Sequence, residues 1–286
     1  MALFSDVLLT ADYDRTLTAL DSSIPERNIE AIRYFMENGG AFTVNTGRSV
    51  PMTQVFRDRI PVSAPLLLYN GSAAYDVEKG VLEFRHEIQL DMWDTIRQVR
   101  AMLPGMTVEV QGIQAHYSFD ENPAWAAFCA YNHCAYAFAR EGDDLGPFLK
   151  FSVYGKMRGT TVDSMFHSSA DELLQIKEAA SAIQARFGDA IEIFQAAPRI
   201  LDIHAKGVSK ARAARELQQR LGRKLLVCVG DADNDLPMLY DADFAFCPAD
   251  GGVADRFPNV CKCADGAVAD VIYEKIPQIL KKSLTD

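Results

Sequence analysis

Asp12 and Asp14 stand one residue apart, directly after the apolar run Val7-Leu8-Leu9-Thr10-Ala11. Asp231 and Asp235 follow a second such run, Leu225 to Val229, within Gly230-Asp231-Ala232-Asp233-Asn234-Asp235. Carboxylates in this setting can serve as nucleophile, as general acid/base or as ligands for a hard cation. Two more polar segments hold the same position relative to an apolar run or the helix after it. They are Thr46-Gly47-Arg48 and Lys210, which follows the capping residue Ser209. Together these segments offer acids, a hydroxyl, two cations and loop amides.

Each segment alone has a plain structural reading. An Asp-x-Asp pair at a strand end is often a turn or a helix cap. A lone lysine is usually a surface helix residue. Their shared place is what separates them from that background, because open α/β sheets bind ligands at the carboxyl ends of their strands. Four acids crowded there repel one another strongly unless a cation joins them. An all-oxygen donor set argues for Mg²⁺ rather than zinc, and Mg²⁺ attracts phosphate oxygens. The Asp231 to Asp235 run is not an EF-hand loop, since Leu236 and Ala242 occupy the positions that need glycine and glutamate. The chain has neither a Gly-x-Ser-x-Gly elbow nor a Walker-type phosphate loop.

The elements that must position these residues alternate strand and helix. Val7–Ala11, Ala41–Val44 and the run 66–69 read as strands, with helices over 25–37 and 51–59 between them. This alternation predicts a parallel α/β sheet. From Ala73 the pattern changes. Hairpin-like pairs at 73–76 with 81–85, and at 107–110 with 115–119, mix with helices over 91–102, 123–132 and 170–187. Further strands are expected at 134–138, 149–154, 191–194 and 200–203. This stretch reads as an inserted α+β domain. Beyond Ser209 the parallel pattern returns, with a helix to Leu221, strands at 225–229 and 244–246, and a last helix over 268–280. The expected organisation is a core built from residues 1–84 and 199–286, with an insert over 85–198.

A chain of 286 residues, 49% hydrophobic and 24% charged, can bury one large core or two smaller ones. Its 29 basic and 39 acidic residues give a formal charge of −10 with no basic run, which disfavours nucleic acid as a partner. A small phosphorylated molecule needs only local positive charge. Cys129, Cys134, Cys228, Cys247, Cys261 and Cys263 show no CxxC pair and no zinc-ligand spacing, so free thiols in a reducing compartment are expected. No basic, apolar leader opens the sequence and no run approaches a membrane span. The expectation is a cytoplasmic protein, monomer or homodimer, without a membrane partner. His86, His116, His133, His167 and His204 read as half-exposed structural residues, and Trp93 and Trp125 as core.

Asp12-x-Asp14-x-Thr16, Thr46, Lys210 and Gly230-Asp231-x-x-Asn234-Asp235, in this order, resemble the four motifs of the haloacid dehalogenase-like superfamily. The resemblance covers essentially the whole core. By size and pattern, the insert looks like the large type II cap of the Cof-like sugar-phosphate phosphatases. The resemblance implies a Rossmann-like core with an α+β cap that selects the substrate. It also implies a Mg²⁺-dependent phosphatase acting on a small phosphorylated metabolite. Asp12 would then be the nucleophile and Asp14 the general acid/base. Thr46 and Lys210 would hold the phosphoryl group. Mg²⁺ would bind Asp12, the Asp14 carbonyl and Asp231, with Asp235 supporting that shell. Gly47, Arg48, Asn70, Gly71 and Asn234 would be contacts to substrate or phosphate. Arg15 departs from the family's usual glycine, and its side chain would point either toward the cap or out to solvent. A phosphohexomutase-type phosphotransferase and a non-catalytic phospho-ligand sensor stay as alternatives.

Overall fold

Val7–Ala11 is buried along its whole length and has a parallel neighbour on each side, Leu225–Val229 and Ala41–Val44. A strand covered on both faces needs a continuous apolar run, and this run supplies one. In the computed structural model, which describes residues 2–156 and 169–282, Phe244–Pro248 and then Asn259–Val260 extend the sheet beyond Leu225–Val229. Register pairs Ala11 with Val229, and the Asp12 amide donates to the Val229 carbonyl at 2.9 Å. The two acidic loops therefore leave the sheet at the same level.

Two helices carry the remaining parts of this unit into place. Glu26–Glu37 runs back from the first acidic loop and ends at Gly39, whose φ of 88° suits glycine. Lys210–Arg220 starts at Ser209, whose Oγ accepts from the Arg212 amide at 3.1 Å. This cap fixes where the helix begins, and so where Lys210 stands.

The third expected parallel strand differs from its reading. Leu66–Leu68 meets the core sheet only through a bridge from Leu67 to Asn45. It otherwise pairs antiparallel with Ala73–Asp76, and Val81–Arg85 completes a three-stranded sheet. Tyr69, Asn70 and Gly71 all have positive φ, at 53°, 54° and 98°. They turn the chain back at once, leaving no room for the crossover helix that a parallel neighbour needs. The helix expected over 51–59 is only the short 3-10 turn Pro51–Val55.

The chain divides into two compact units. The first comprises Met1–Thr46, Phe56–Phe84 and Ser209–Asp286; the second comprises Gly47–Val55 and Arg85–Val208. The expected boundary at 198/199 is therefore corrected to 208/209. Ile200–Ala205 is paired antiparallel on both sides, with Ile191–Ala197 and Lys150–Tyr154, and cannot leave their sheet. Gly47–Val55 also groups with the second unit, where Lys150 Nζ donates to the Gly47 carbonyl at 3.2 Å. The second unit holds a six-stranded sheet, ordered Ile191–Ala197, Ile200–Ala205, Lys150–Tyr154, Thr107–Gln111, His116–Ser118, Tyr136–Phe138. One face carries Val108, Val110, Phe151, Val153, Leu201 and Ile203, in a core shared with Met92–Met102 and Ala170–Phe187. The alternate residues Glu109, Gln111, Lys150, Ser152, Asp202 and His204 are polar and also buried. Among the described residues, no helix is long and apolar enough to cross a membrane; His167 lies outside them.

Candidate active site

Lys210, buried at the start of its helix, places Nζ 2.5 Å from Asp12 Oδ1 and 2.6 Å from Asp235 Oδ1. A single ammonium thus bridges the two acidic loops. Asp235 folds back over its own loop, and its Oδ2 accepts from the Asp231 and Ala232 amides at 3.1 and 3.2 Å. Gly230 permits this fold, because a Cβ there would come within 2.7 Å of the Asp235 side chain. Thr16 Oγ1 donates to Asp231 Oδ1 at 3.1 Å. One carboxylate oxygen from each of Asp12, Asp231 and Asp235 lies within 4.8 Å of the other two.

Three acids share one lysine, and their protonation reflects it. Burial pushes the Asp12 carboxyl well above the ordinary carboxylate range; Lys210 opposes this, while Asp235, Asp14 and Asp231 add to it. Asp231 is pushed up to about 6, first by burial and then by Asp235, against Thr16, Lys210 and Arg15. Burial works against the Lys210 charge, yet Asp12 and Asp235 outweigh it and hold that ammonium above the ordinary lysine value. The cluster is short of positive charge. Its donors are all oxygen, which fits Mg²⁺. Asp235 is the least available of them, since both its oxygens already accept hydrogen bonds.

The other expected residues fall into three groups. Asp14 is exposed in the turn Tyr13–Leu17, near enough for its charge to act on Asp12. Thr46 is buried; its amide donates to the Leu67 carbonyl and its carbonyl accepts from the Asn70 amide, at 2.9 and 3.0 Å. A phosphoryl contact from Thr46 must therefore use its hydroxyl. Asn70 and Gly71 are buried in the same loop, and Gly71 is packed so tightly that a Cβ would collide with the Ser209 carbonyl. Asn234 is exposed beside the cluster's loop. Gly47 and Arg48 are half-buried and belong to the second unit.

Some side chains escaped the sequence reading or depart from it. Arg15 is exposed at φ 61°, a left-handed conformation that favours glycine, and its charge reaches Asp231. Asn45 Nδ2 donates to the Lys210 carbonyl at 3.0 Å and ties a strand end to the helix start. Nothing in its residue type announces that role, whereas Thr16 lay within the Asp12-x-Asp14-x-Thr16 motif. Asp233 is exposed 3.9 Å from Arg256, and it is Asp235 that accepts from the loop amides. His116 and His204 are buried rather than half-exposed.

Residues 9–264 match the family of haloacid dehalogenase-like hydrolases. The chain belongs to that family. This haloacid dehalogenase-like hydrolase is 24% identical over 242 residues to the Bacillus subtilis (strain 168) 5-amino-6-(5-phospho-D-ribitylamino)uracil phosphatase YcsE, spanning 82% of this chain and 80% of that protein. Its fold is shared with a haloacid dehalogenase-like hydrolase from Bacteroides thetaiotaomicron, at a TM-score of 0.77 and 18% identity, over 95% of this chain and 98% of that one. It is shared too with the HAD subclass IIB sugar phosphatase BT4131, at a TM-score of 0.72 and 18% identity, over 94% and 99% of the two chains.

Proposed function

We propose that this haloacid dehalogenase-like phosphatase hydrolyses small phosphomonoesters, sugar phosphates foremost, through an aspartyl-phosphate on Asp12. The observation that carries the reading is the buried Lys210 ammonium between Asp12 and Asp235, at the mouth of the parallel sheet. It restrains Asp12 for attack and offsets charge on an incoming phosphoryl group.

Asp12 attacks phosphorus, and the bond from phosphorus to the ester oxygen breaks. Asp14 gives its proton to the leaving alcohol. The resulting carboxylate then takes a proton from water as that water attacks the aspartyl-phosphate, releasing inorganic phosphate and restoring Asp12. Thr46 holds the phosphoryl group through its hydroxyl, and Asn70, Gly71 and Asn234 are proposed as further contacts. Asp12, Asp231 and the Asp14 carbonyl would hold Mg²⁺, which neutralises charge on the transferring group. Asp235 is proposed to fix the Asp231 loop and Lys210 rather than to bind the metal itself. The second unit, with Gly47 and Arg48 at its edge, is proposed to act as a cap that selects the alcohol. The six free thiols support a cytoplasmic setting.

The curated relative's name and that of the sugar phosphatase set the first substrates to try, namely phosphorylated sugars and ribityl compounds. Phosphate release should be measured over such a panel, with Mg²⁺ and with chelator. Release should require Mg²⁺ and fall by several orders of magnitude in Asp12→Asn. Isomerised product without free phosphate would make the enzyme a phosphotransferase. Near-normal release by Asp12→Asn would refute the mechanism.

A further inference from the structure

The second unit contains a cluster that shares no residue with the carboxylate site. One donor atom each from His116, Cys129 and Cys134 lies within 4.8 Å of the other two, and all three residues are buried. Their spacing in sequence gives no metal motif. The fold brings them together in two ways. Cys129 lies in the last turn of the helix Pro123–Tyr131, and the chain reverses at His133, with φ 52°. The Cys134 amide then donates to the Cys129 carbonyl at 2.9 Å, so the two thiols stand together at the helix end. His116 comes from the strand His116–Ser118.

The imidazole is already held as a metal-binding histidine must be. Glu109 is ion-paired with His116 Nδ1, and Ser49 Oγ lies 2.6 Å from Nε2. One nitrogen can therefore turn to a metal while an oxygen partner fixes the other, the arrangement that orients a ligating ring. Glu109 is itself fixed, by the Tyr154 hydroxyl and by Gln111 Nε2 at 3.3 Å. Zinc bonds of ~2.3 Å to sulfur and ~2.0 Å to nitrogen, in a tetrahedron, put neighbouring donors roughly 3.3–3.8 Å apart. Donors within 4.8 Å of one another exceed that spacing by at most about 1.5 Å. Two thiols and an imidazole select a soft or borderline ion of the zinc type, where the all-oxygen cluster selects Mg²⁺.

We propose that His116, Cys129 and Cys134 form a second metal site, for zinc or a similar thiophilic divalent ion. Ser49 Oγ or water is the fourth donor, and Glu109 positions His116 from behind. The metal takes two thiolates and a neutral imidazole, so every proton still carried by Cys129 and Cys134 and by the ligating nitrogen of His116 is released on binding. The ion would staple the Pro123–Tyr131 helix to the His116–Ser118 strand of the six-stranded sheet.

The test uses the full chain, reduced and stripped of metal, titrated with Co²⁺. One equivalent should produce thiolate-to-cobalt charge-transfer absorption, which Zn²⁺ then abolishes by displacement. Asp231→Asn should keep these bands, because oxygen ligands do not give them. Cys129→Ser and Cys134→Ser should each lose them, with the fold checked by circular dichroism. Glu109→Gln should weaken Zn²⁺ binding by about ten- to a hundredfold while keeping the bands. The proposal is overturned if unmutated, reduced protein gives no such absorption. It is equally overturned if the serine variants bind Zn²⁺ as tightly as the parent.

Discussion

Lys210 meets Asp12 at 2.5 Å and Asp235 at 2.6 Å, and all three residues are buried. Removing one member of a buried ion pair costs about 3–5 kcal/mol, because the partners stay behind uncompensated. Lys210→Met should therefore lower the melting temperature of the metal-free protein sharply, and Mg²⁺ should restore part of the loss. A variant that melts like its parent without metal would contradict this. Asp231 sets a pH dependence. Its carboxyl rises from 3.8 to about 6 on folding, so between those values the folded chain holds a proton that the unfolded chain has released. Stability of the metal-free protein should then fall as pH rises through this window, by up to ~3 kcal/mol from this group. Urea unfolding across that range should show the slope, and Asp231→Asn should flatten it. These residues were legible in sequence because their types and order carry the chemistry. Arg15 stood out as a departure, but only the backbone shows that it occupies a glycine-like conformation. Asn45 was illegible, since its role is a single amide contact to a distant helix.

Gly71 shows how one element positions another. Its φ of 98° and its approach to the Ser209 carbonyl seat the Asn70-Gly71 loop against the start of the Lys210 helix. Gly71→Ala adds both backbone strain and a collision, and should destabilise the protein by at least ~2 kcal/mol. It should also depress phosphate release, because the displaced helix carries Lys210. Denaturant unfolding with kinetics on the same variant checks both effects, and wild-type values would count against the packing argument. The same loop explains why the third strand was misread. Leu66-Leu67-Leu68 has the composition of a buried parallel strand, and three consecutive left-handed residues decide its antiparallel partner instead. In the second unit, the strands at 149–154 and 200–203 were visible. That the polar face of their sheet is buried too was not, because burial of Glu109, Lys150 and Asp202 depends on partners distant in sequence.

At the scale of the whole chain, the return of strand–helix alternation after Ser209 marked both ends as one core. The 208/209 boundary needed the pairing of Ile200–Ala205, which an apolar run cannot specify by itself. The first unit holds the carboxylates and Lys210, and the second is proposed to select the alcohol. Asp12 as nucleophile is the claim on which the rest depends. The most direct measurement is rapid quenching during turnover of a substrate that the Mg²⁺-dependent assay identifies. Borohydride reduction and peptide sequencing then follow. An aspartyl-phosphate on Asp12 predicts homoserine at position 12, absent when substrate is omitted. Full turnover with unmodified aspartate at position 12, or reduction at a different acid, would contradict the account.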